Sequence, residues 1–386
     1  MDAEKNTMQP EKRVEYIELF FDLIFVYTFR SINGLFHGME SGFPSAELLG
    51  SFFFLMAVAV QVWFFSVLFF NRYGRKSIRD YLTILLNMYL LYYMATSGAA
   101  HLMQNYARYH LAWAGILLNL AYRNWDKREY GHHLDELDRQ ILYYTFQGLC
   151  MQALLVLLCI PVYRLSGLPL SALALLFGFV IRYRNHHFLT QHPADFPHLT
   201  ERILLLVILT FGEMLIGIGS YFHPGGSIYY NLSAFLIATG MFLSYGFYYD
   251  NVLDHHKKTS GLGMLLLHVP LIIVINSTTI ALEFFAREGM HSTLRPVFLL
   301  VMMILYYGLL LGINHYGKPI GFLDERYLIL LLLLLAFYIP GIILSADEPR
   351  FSTLFTLLYV YLHLGLQLRQ YKRKTGKPLH IGRYLE

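Results

Sequence analysis

Residues Arg13 to Tyr27 read RVEYIELFFDLIFVY and carry three carboxylates inside or at the mouth of an apolar stretch. The carboxylates of Glu15, Glu18 and Asp22 are spaced by three and then four residues, which places them on one face of a helix. A charged side chain at the centre of a membrane helix costs about 2.5–3.5 kcal/mol on insertion scales, so such residues are rare and commonly functional. This face is therefore predicted to point away from lipid.

The composition is typical of a membrane protein. The chain of 386 residues is 56% hydrophobic and 15% charged, whereas soluble domains carry about 25% charged residues. Several apolar runs reach the roughly 20 residues that a helix needs to cross a bilayer. The predicted fold class is an all-α polytopic membrane protein.

Apolar runs between polar breaks predict about twelve transmembrane helices. The predicted segments are 16–36, 46–70, 81–101, 105–122, 140–163, 168–187, 199–221, 229–250, 262–285, 295–315, 326–346 and 351–371. Residues 1–14 are polar and lack the apolar core of a signal peptide, so they are predicted to be a cytoplasmic segment.

The distribution of basic residues predicts the orientation of these segments. With the N-terminus in the cytoplasm, the loops on that side carry fourteen Lys and Arg residues and the opposite loops carry five. Short cytoplasmic loops are the ones enriched in Lys and Arg. Both termini are therefore predicted to be cytoplasmic, in the cell membrane, with a basic tail at residues 372–386 that would contact anionic lipid.

Short matches predict an internal duplication with a period of about 180 residues. The matched pairs are Leu137–Arg139 with Leu323–Arg326 and Ile160-Pro161 with Ile339-Pro340, and the alignment brings Glu18 near Glu201. Six segments in each half give both halves one orientation, so the repeats would be parallel, as in some transporters. The predicted regions are 1–14, a first repeat at 15–190, a second repeat at 191–371, and the tail at 372–386.

The seventh segment carries the other strong polar signal. His198 and Arg202 lie one turn apart, and Glu213 follows eleven residues later on the same face, about 16 Å further along the axis. One hypothesis is a proton or cation path that begins at Glu18, Asp22, Glu201 and Arg202 and continues to Glu213. The other is a set of ion pairs that hold the first and seventh segments together.

Six further polar residues in the apolar segments are secondary candidates. Arg30 would neutralise a buried acid or extend to the outer surface, and His268 would titrate or serve as a structural histidine. Asp250 is predicted at the cytoplasmic end of the eighth segment. The remaining three would line a cavity or form interhelical hydrogen bonds: Asn87, Asn276 and Glu283.

No motif of an enzyme or of a cofactor site is present in the sequence. The chain lacks a phosphate-binding glycine loop, a zinc-protease helix motif and a nucleophile elbow, and its adjacent histidines point to different sides of a helix. We therefore predict no catalytic activity, no cofactor and no metal. The expected partners are membrane lipids and a small solute or ion, without nucleic acid; the oligomeric state stays open, a homodimer included.

Two stretches together resemble the bacterial low temperature requirement A family. Glu18–Val26, reading ELFFDLIFV, is similar to the opening signature of that family, and His198-Leu-Thr-Glu-Arg202 followed by Phe211-Gly-Glu213 is similar to its second signature. Tyr248–Asp250 and His268–Pro270 resemble later landmarks. The resemblance covers nearly the whole chain and implies a multipass membrane protein linked to growth in the cold, without implying a substrate or a mechanism.

A second resemblance concerns Phe20-Phe21-Asp22 in the first segment. It is similar to the Phe-Ser-Asp motif of a potassium channel family with duplicated six-span halves, although Phe21 replaces the serine and the preceding arginine is not in place. The leading hypothesis is a proton- or cation-coupled secondary transporter in which Asp22 and Glu213 titrate. The alternatives are a cation channel and a membrane sensor or lipid-binding protein without transport.

Overall fold

A computed structural model describes residues 14–37, 39, 42–74, 77–99, 102–132, 134–184, 186–219, 228–286 and 294–376. Most of the predicted N-terminal segment and residues 377–386 of the predicted basic tail lie outside these ranges. The described chain is helical, apart from one isolated bridge between Leu253 and Gly317. Its α-helices are α1 Tyr16–Asn33, α2 Ala46–Tyr73, α3 Ile78–Ala99, α4 Tyr106–Tyr130, α5 Glu136–Ser166, α6 Ser171–Arg184, α7 His186–Gln191, α8 Phe196–Gly219, α9 Ile228–Phe247, α10 Leu262–Ala286, α11 Leu294–Ile313, α12 Glu325–Leu344 and α13 Pro349–Thr375.

Eleven of the twelve predicted segments each overlap one long helix, with differences at the ends. α4 continues to Tyr130, eight residues beyond its predicted end, because helical hydrogen bonds extend past the apolar run. The predicted sixth segment, 168–187, is divided between α6 and the start of α7. Side chains cap several helix starts, as where Ser45 accepts the backbone N–H of Leu48 and Asp324 accepts that of Tyr327.

Nine of the described helices are long and apolar enough to cross a membrane. These are α1, α2, α5 and α8 to α13, with the π-helical turn Tyr248–Val252 extending α9 and the 3₁₀ turn Asn314–Tyr316 extending α11. α3, α4 and α6 do not meet that standard, and α6 has only 14 residues. The chain is therefore a polytopic helical protein, while the count of twelve spans stays a prediction.

Two contacts show that α1 and α8 run parallel. Asp22 contacts Arg202, Asn33 contacts Glu213, and both pairs are separated by 180 positions. α8 runs parallel to α1 only if an even number of membrane crossings, α1 included, precedes α8. Only α1, α2 and α5 precede α8 among the nine candidates, so if all nine cross, one or three of α3, α4 and α6 must also cross.

The helices of the first half meet those of the second mainly where α1 packs on α8 and α2 packs on α10. α1 contacts α2 and α3, α8 contacts α9 and α10, and α2 also packs on α10. Several neighbour relations of the first half recur in the second, since α3 packs on α4 as α10 packs on α11, and α5 on α6 as α12 on α13. These relations fit a duplication, which remains a prediction, and they leave the α1–α8 interface as the meeting place of the halves.

Candidate functional site

The buried carboxylates of α1 converge on Arg202 of α8. Arg202 donates from Nε and Nη2 to the two carboxylate oxygens of Asp22, at 3.1 and 2.7 Å, and from Nη1 to Glu18. Trp63 of α2 donates its indole N–H to Asp22 at 3.0 Å. All four side chains are buried. With His198 they form what we call the Arg202 cluster.

The helical repeat brings these residues together. Glu18 and Asp22 lie one turn apart on α1, and His198 and Arg202 lie one turn apart on α8, so each helix presents two polar groups on its inner face. Apolar side chains surround them, and the guanidinium of Arg202 also lies 5.7 Å from the ring centre of Phe70. A buried ion pair of this kind is stable only when its hydrogen bonds are satisfied, and here every nitrogen of Arg202 has a carboxylate partner.

His198 extends the cluster toward the surface. Its Nε2 lies 3.3 Å from Glu18, within ion-pair distance, and its Nδ1 lies 3.1 Å from the side-chain amide of Asn71. The backbone N–H of His198 donates to Asp195, whose own N–H donates to Asn71. The cluster thus joins two carboxylic side chains, one guanidinium and one imidazole.

A surface cavity of about 350 Å³ adjoins this histidine. Asn71 and Asp195, which hold His198, both line the cavity. His192, Asp138 and Lys127 are also in its wall. Water at this end of the molecule therefore comes within two side chains of Glu18.

Glu213 lies in a different environment, eleven residues further along α8. Its carboxylate accepts a hydrogen bond from the side-chain amide of Asn33 at 2.7 Å, and Asn33 also donates to the side-chain oxygen of Asn276 at 3.3 Å. Glu213 is 1% exposed. Within the described part of the chain no cation lies within ion-pair distance of this carboxylate. We call Asn33, Glu213 and Asn276 the Glu213 group.

Two of the predicted residues, Glu201 and Arg30, lie outside both the Arg202 cluster and the Glu213 group. Glu201 is exposed on α8, one position from the fully buried Arg202, because successive residues of a helix point about 100° apart. Arg30 is exposed near the end of α1, and its charge acts on Glu213 without contact.

Among the secondary candidates, Asn87 and His268 make interhelical hydrogen bonds. Asn119 of α4 donates to the side-chain oxygen of Asn87 on α3 at 2.8 Å. His268 lies 3.2 Å from the hydroxyl of Tyr245 and 2.8 Å from the carbonyl oxygen of Met264. These are the contacts expected of structural residues.

Glu283 and Asp250 lie apart from the two clusters. Glu283 is buried near the end of α10, with His37 at 3.8 Å and the backbone of Gly217 beside it. Asp250 is half-buried in the π-helical turn after α9, where Lys318 donates to its backbone carbonyl. Within the described part of the chain, neither residue contacts Arg202 or Glu213.

Sequence reasoning missed Trp63, Asn33 and Asn71 as members of the site. Trp63 lies in the most apolar part of α2 and looks like a packing residue until its N–H is seen to meet Asp22. Asn33 had one usable signal, because it follows Asp22 by the same eleven residues that separate Arg202 from Glu213. Equal spacings on α1 and α8 give two contacts only if the two helices lie side by side and run parallel. The sequence alone does not show that they do.

One group of side chains in the described chain could hold a metal ion, and it lies outside the predicted sites. Asp135, Asp138 and His192 bring their ligand atoms within 4.8 Å of one another. The ring of His192 already faces both carboxylates, with Nε2 at 2.9 Å from Asp135 and Nδ1 at 3.5 Å from Asp138. The backbone N–H of Asp138 and the charge of His192 lower the pKa of the Asp135 carboxyl, so this group is stable as an acid–histidine contact.

The fold and these clusters define an all-helical integral membrane protein with buried acids between two parallel helices. Residues 13–366 match the family described as bacterial low temperature requirement A protein (LtrA). The match covers nearly the whole chain, and the protein belongs to this family, as its two signatures predicted. A comparison with curated proteins gave no match. The family and the apolar helices together indicate a membrane location.

Proposed function

We propose that this protein is a secondary transporter that couples movement of a small solute to protons or another cation. The observation that carries the proposal is the isolation of Glu213. Its carboxylate is buried, and the one hydrogen bond that it makes with the described residues comes from the neutral amide of Asn33 at 2.7 Å. An ionised carboxylate without a cation is costly in an apolar interior, so this group favours binding a proton or a metal cation.

The position of Glu213 suits a coupling site. It lies well inside α8, at the interface between the two proposed halves, and intramembrane acids in such places commonly belong to ion or proton pathways. Gly212 and Gly219 of α8 have no neighbouring atoms where a side chain would begin. We propose that α8 moves relative to α1 during transport and that the loading of Glu213 governs that movement.

The Arg202 cluster would serve as the gate on the predicted cytoplasmic side. Arg202 bridges α1 and α8 through Glu18 and Asp22, so the interface is closed at this level. His198 lies 3.3 Å from the same carboxylate of Glu18 and so adjoins this contact. Asp22 is thus proposed as a gating residue, while Glu213 is the residue proposed to titrate.

The experiment that tests this proposal compares Glu213→Gln with Glu201→Gln. Both variants remove one carboxylate from α8, but Glu201 is exposed and outside the clusters. The purified proteins are reconstituted in vesicles that contain a pH-sensitive dye, and Na⁺, K⁺, amino acids, sugars and organic cations are added in turn. We expect a solute to drive proton movement through the wild type and Glu201→Gln, and no such movement through folded Glu213→Gln.

Two results would contradict the coupling of solute movement to protons through Glu213. One is an equal solute-driven signal from Glu213→Gln, and the other is no signal from the wild type with any solute. Voltage-driven currents in a planar bilayer without a coupling gradient would instead support the cation channel. The direct contact of α1 with α8 does not favour a pore between these helices, which is why the channel stays the alternative.

A further inference from the structure

A cavity of about 410 Å³ lies where the end of α2, the start of α3 and the end of α4 meet. None of its lining residues belongs to the Arg202 cluster or to the Glu213 group. Arg123 forms part of its wall, with Arg79 and Lys127 beside it. This end of the molecule carries basic loops and is predicted to face the cytoplasm.

Arg123 is buried without hydrogen-bond acceptors. Its side chain is 2% exposed, and its three guanidinium nitrogens make no hydrogen bond with any of the described residues. The group lies on the rings of Phe69 and Phe70, at 4.3 and 4.5 Å from their centres. Its nearest carboxylate, Asp80, is 3.9 Å away, which is too long for a hydrogen bond.

The carboxylates of the cavity do not supply the acceptor that Arg123 lacks, because they accept hydrogen bonds from other residues. Asp126 accepts from Arg79 at 2.9 Å, and Asp80 accepts from Ser77 at 2.8 Å. Three cations and two carboxylates line the cavity, so the wall carries one excess positive charge. The N-terminus of α3, a helix of 22 residues, opens beside Ser77 and adds further positive potential.

These features match the chemistry of a phosphate group. A guanidinium presents five N–H donors in a planar fork that fits phosphate oxygens in pairs. The aromatic faces behind Arg123 hold it in place without using its donors. An uncharged solute would leave the guanidinium uncompensated, and a metal cation would be repelled by it.

The edge of the cavity is exposed and apolar. Ile78, Tyr122 and Tyr130 line it and are 80%, 43% and 62% exposed. Tyrosines are enriched at the interface between membrane and water, at the depth of lipid headgroups. Both a phospholipid headgroup and a dissolved phosphate could therefore enter the cavity whose wall includes Arg123.

From these observations we infer that the cavity at Arg123 binds a phosphate-bearing anion, whose negative charge compensates the positive charge of the buried guanidinium. The bound group would accept hydrogen bonds from Arg123 and lie close to Lys127 and the start of α3. Asp80 opposes it electrostatically from the same wall. The inference does not depend on the transport function proposed above.

The test uses the purified full-length protein and two probes, inorganic phosphate and a short-chain phosphatidic acid. Binding is measured by titration calorimetry, with chloride at equal ionic strength and a short-chain diacylglycerol as the respective blanks. Arg123→Gln should weaken binding about tenfold or more, because it removes charged hydrogen bonds to the anion. Arg128→Gln is the matched control, since Arg128 carries the same charge on α4 but pairs with Glu129 outside the cavity.

Asp80→Asn provides a test in the opposite direction. Removing the opposing carboxylate should tighten binding several-fold, a gain that unfolding cannot imitate. Binding of phosphatidic acid alone identifies the lipid as the source, and binding of both probes identifies the phosphate group itself; either supports the inference. It is overturned if the wild type binds neither probe, if folded Arg123→Gln binds like the wild type, or if Asp80→Asn binds no more tightly.

Discussion

Asn33 donates its side-chain amide to Glu213 at 2.7 Å, and the two residues are separated by the same 180 positions as Asp22 and Arg202. The helices α1 and α8 thus make two polar contacts eleven residues apart, about 16 Å along the axis. The Asp22–Arg202 contact, which we call the lower level, joins opposite charges. The Asn33–Glu213 contact, the upper level, joins a carboxyl to a neutral amide. This difference predicts different consequences of mutation at the two levels.

At the lower level, Arg202→Gln should strongly destabilise the protein. The change leaves the carboxylates of Glu18 and Asp22 buried without a cation, and breaking a buried ion pair costs about 3–5 kcal/mol. Unfolding by heat or denaturant in detergent measures the loss. Adding Asp22→Asn to the same chain should restore part of the stability, because the remaining imbalance is smaller. A single variant within about 1 kcal/mol of the wild type would show that the pair contributes little.

At the upper level, Asn33→Leu should destabilise the protein by about 1–3 kcal/mol, because Glu213 loses its hydrogen-bond donor. Replacing both Asn33 and Glu213 by leucine should cost less than Asn33→Leu alone, since the buried carboxyl is then removed together with its donor. The four stabilities of this double-mutant cycle give the coupling energy. Additive effects of the two changes would contradict a direct interaction.

His255, in the loop after the π-helical turn that extends α9, is expected to make the protein less stable in mild acid. Burial lowers the pKa of His255 to about 4, while its Nε2 lies 2.9 Å from the carbonyl oxygen of Tyr249. In the unfolded chain a histidine has a pKa of about 6.5. The unfolded state therefore binds more protons below that value, and stability falls as the pH drops from about 6.5 toward 4.

His255→Gln should reduce this pH dependence. Glutamine can donate to the carbonyl of Tyr249 but does not titrate, so the stability of the variant should fall less between neutral pH and pH 4. Thermal unfolding of both proteins across this range makes the comparison, and the difference between the two curves isolates His255 from other titrating groups. Parallel curves would assign the acid sensitivity to another residue.

Replacement of glycine by alanine is expected to have opposite effects at two positions of α9, Gly240 and Gly246. A Cβ atom at Gly240 would lie 2.5 Å from Val360 and 3.1 Å from Tyr361 of α13, whereas one at Gly246 would meet no atom within 4 Å. Gly240→Ala should destabilise the protein by about 1–3 kcal/mol through overpacking. Gly246→Ala should be neutral or stabilising by up to about 1 kcal/mol, because alanine favours a helix. Equal effects at the two positions would contradict the close packing of α9 on α13.

The long helices were accessible from sequence because the features that form them are local. Apolar runs of membrane length predict a helix wherever the backbone must satisfy its own hydrogen bonds. The predicted segments 46–70 and 262–285 differ from α2 and α10 by only a few residues. The predicted sixth segment was the exception, because Ser171–Arg184 is short and the chain forms the separate helix α7.

The candidate site was only partly accessible in this way. Glu18, Asp22, Arg202 and Glu213 stand out because charged residues are costly in apolar segments. The prediction placed Glu201 with them, yet Glu201 is exposed. The choice between neighbours such as Glu201 and Arg202 depends on which side of α8 meets α1, and this depends on packing between segments far apart in the chain.

The sequence by itself determined that this chain is a helical membrane protein of a recognisable family with acids inside its helices. Hydrophobicity and helical spacing are properties of short stretches, so they are legible one segment at a time. Only the tertiary structure decided the partners of those acids: Arg202 and Trp63 for Asp22, and the amide of Asn33 for Glu213. Charge compensation is set by distances across helix interfaces, and for this reason two similar buried carboxylates differ: Asp22 is held in an ion pair, whereas Glu213 is hydrogen-bonded to a neutral amide.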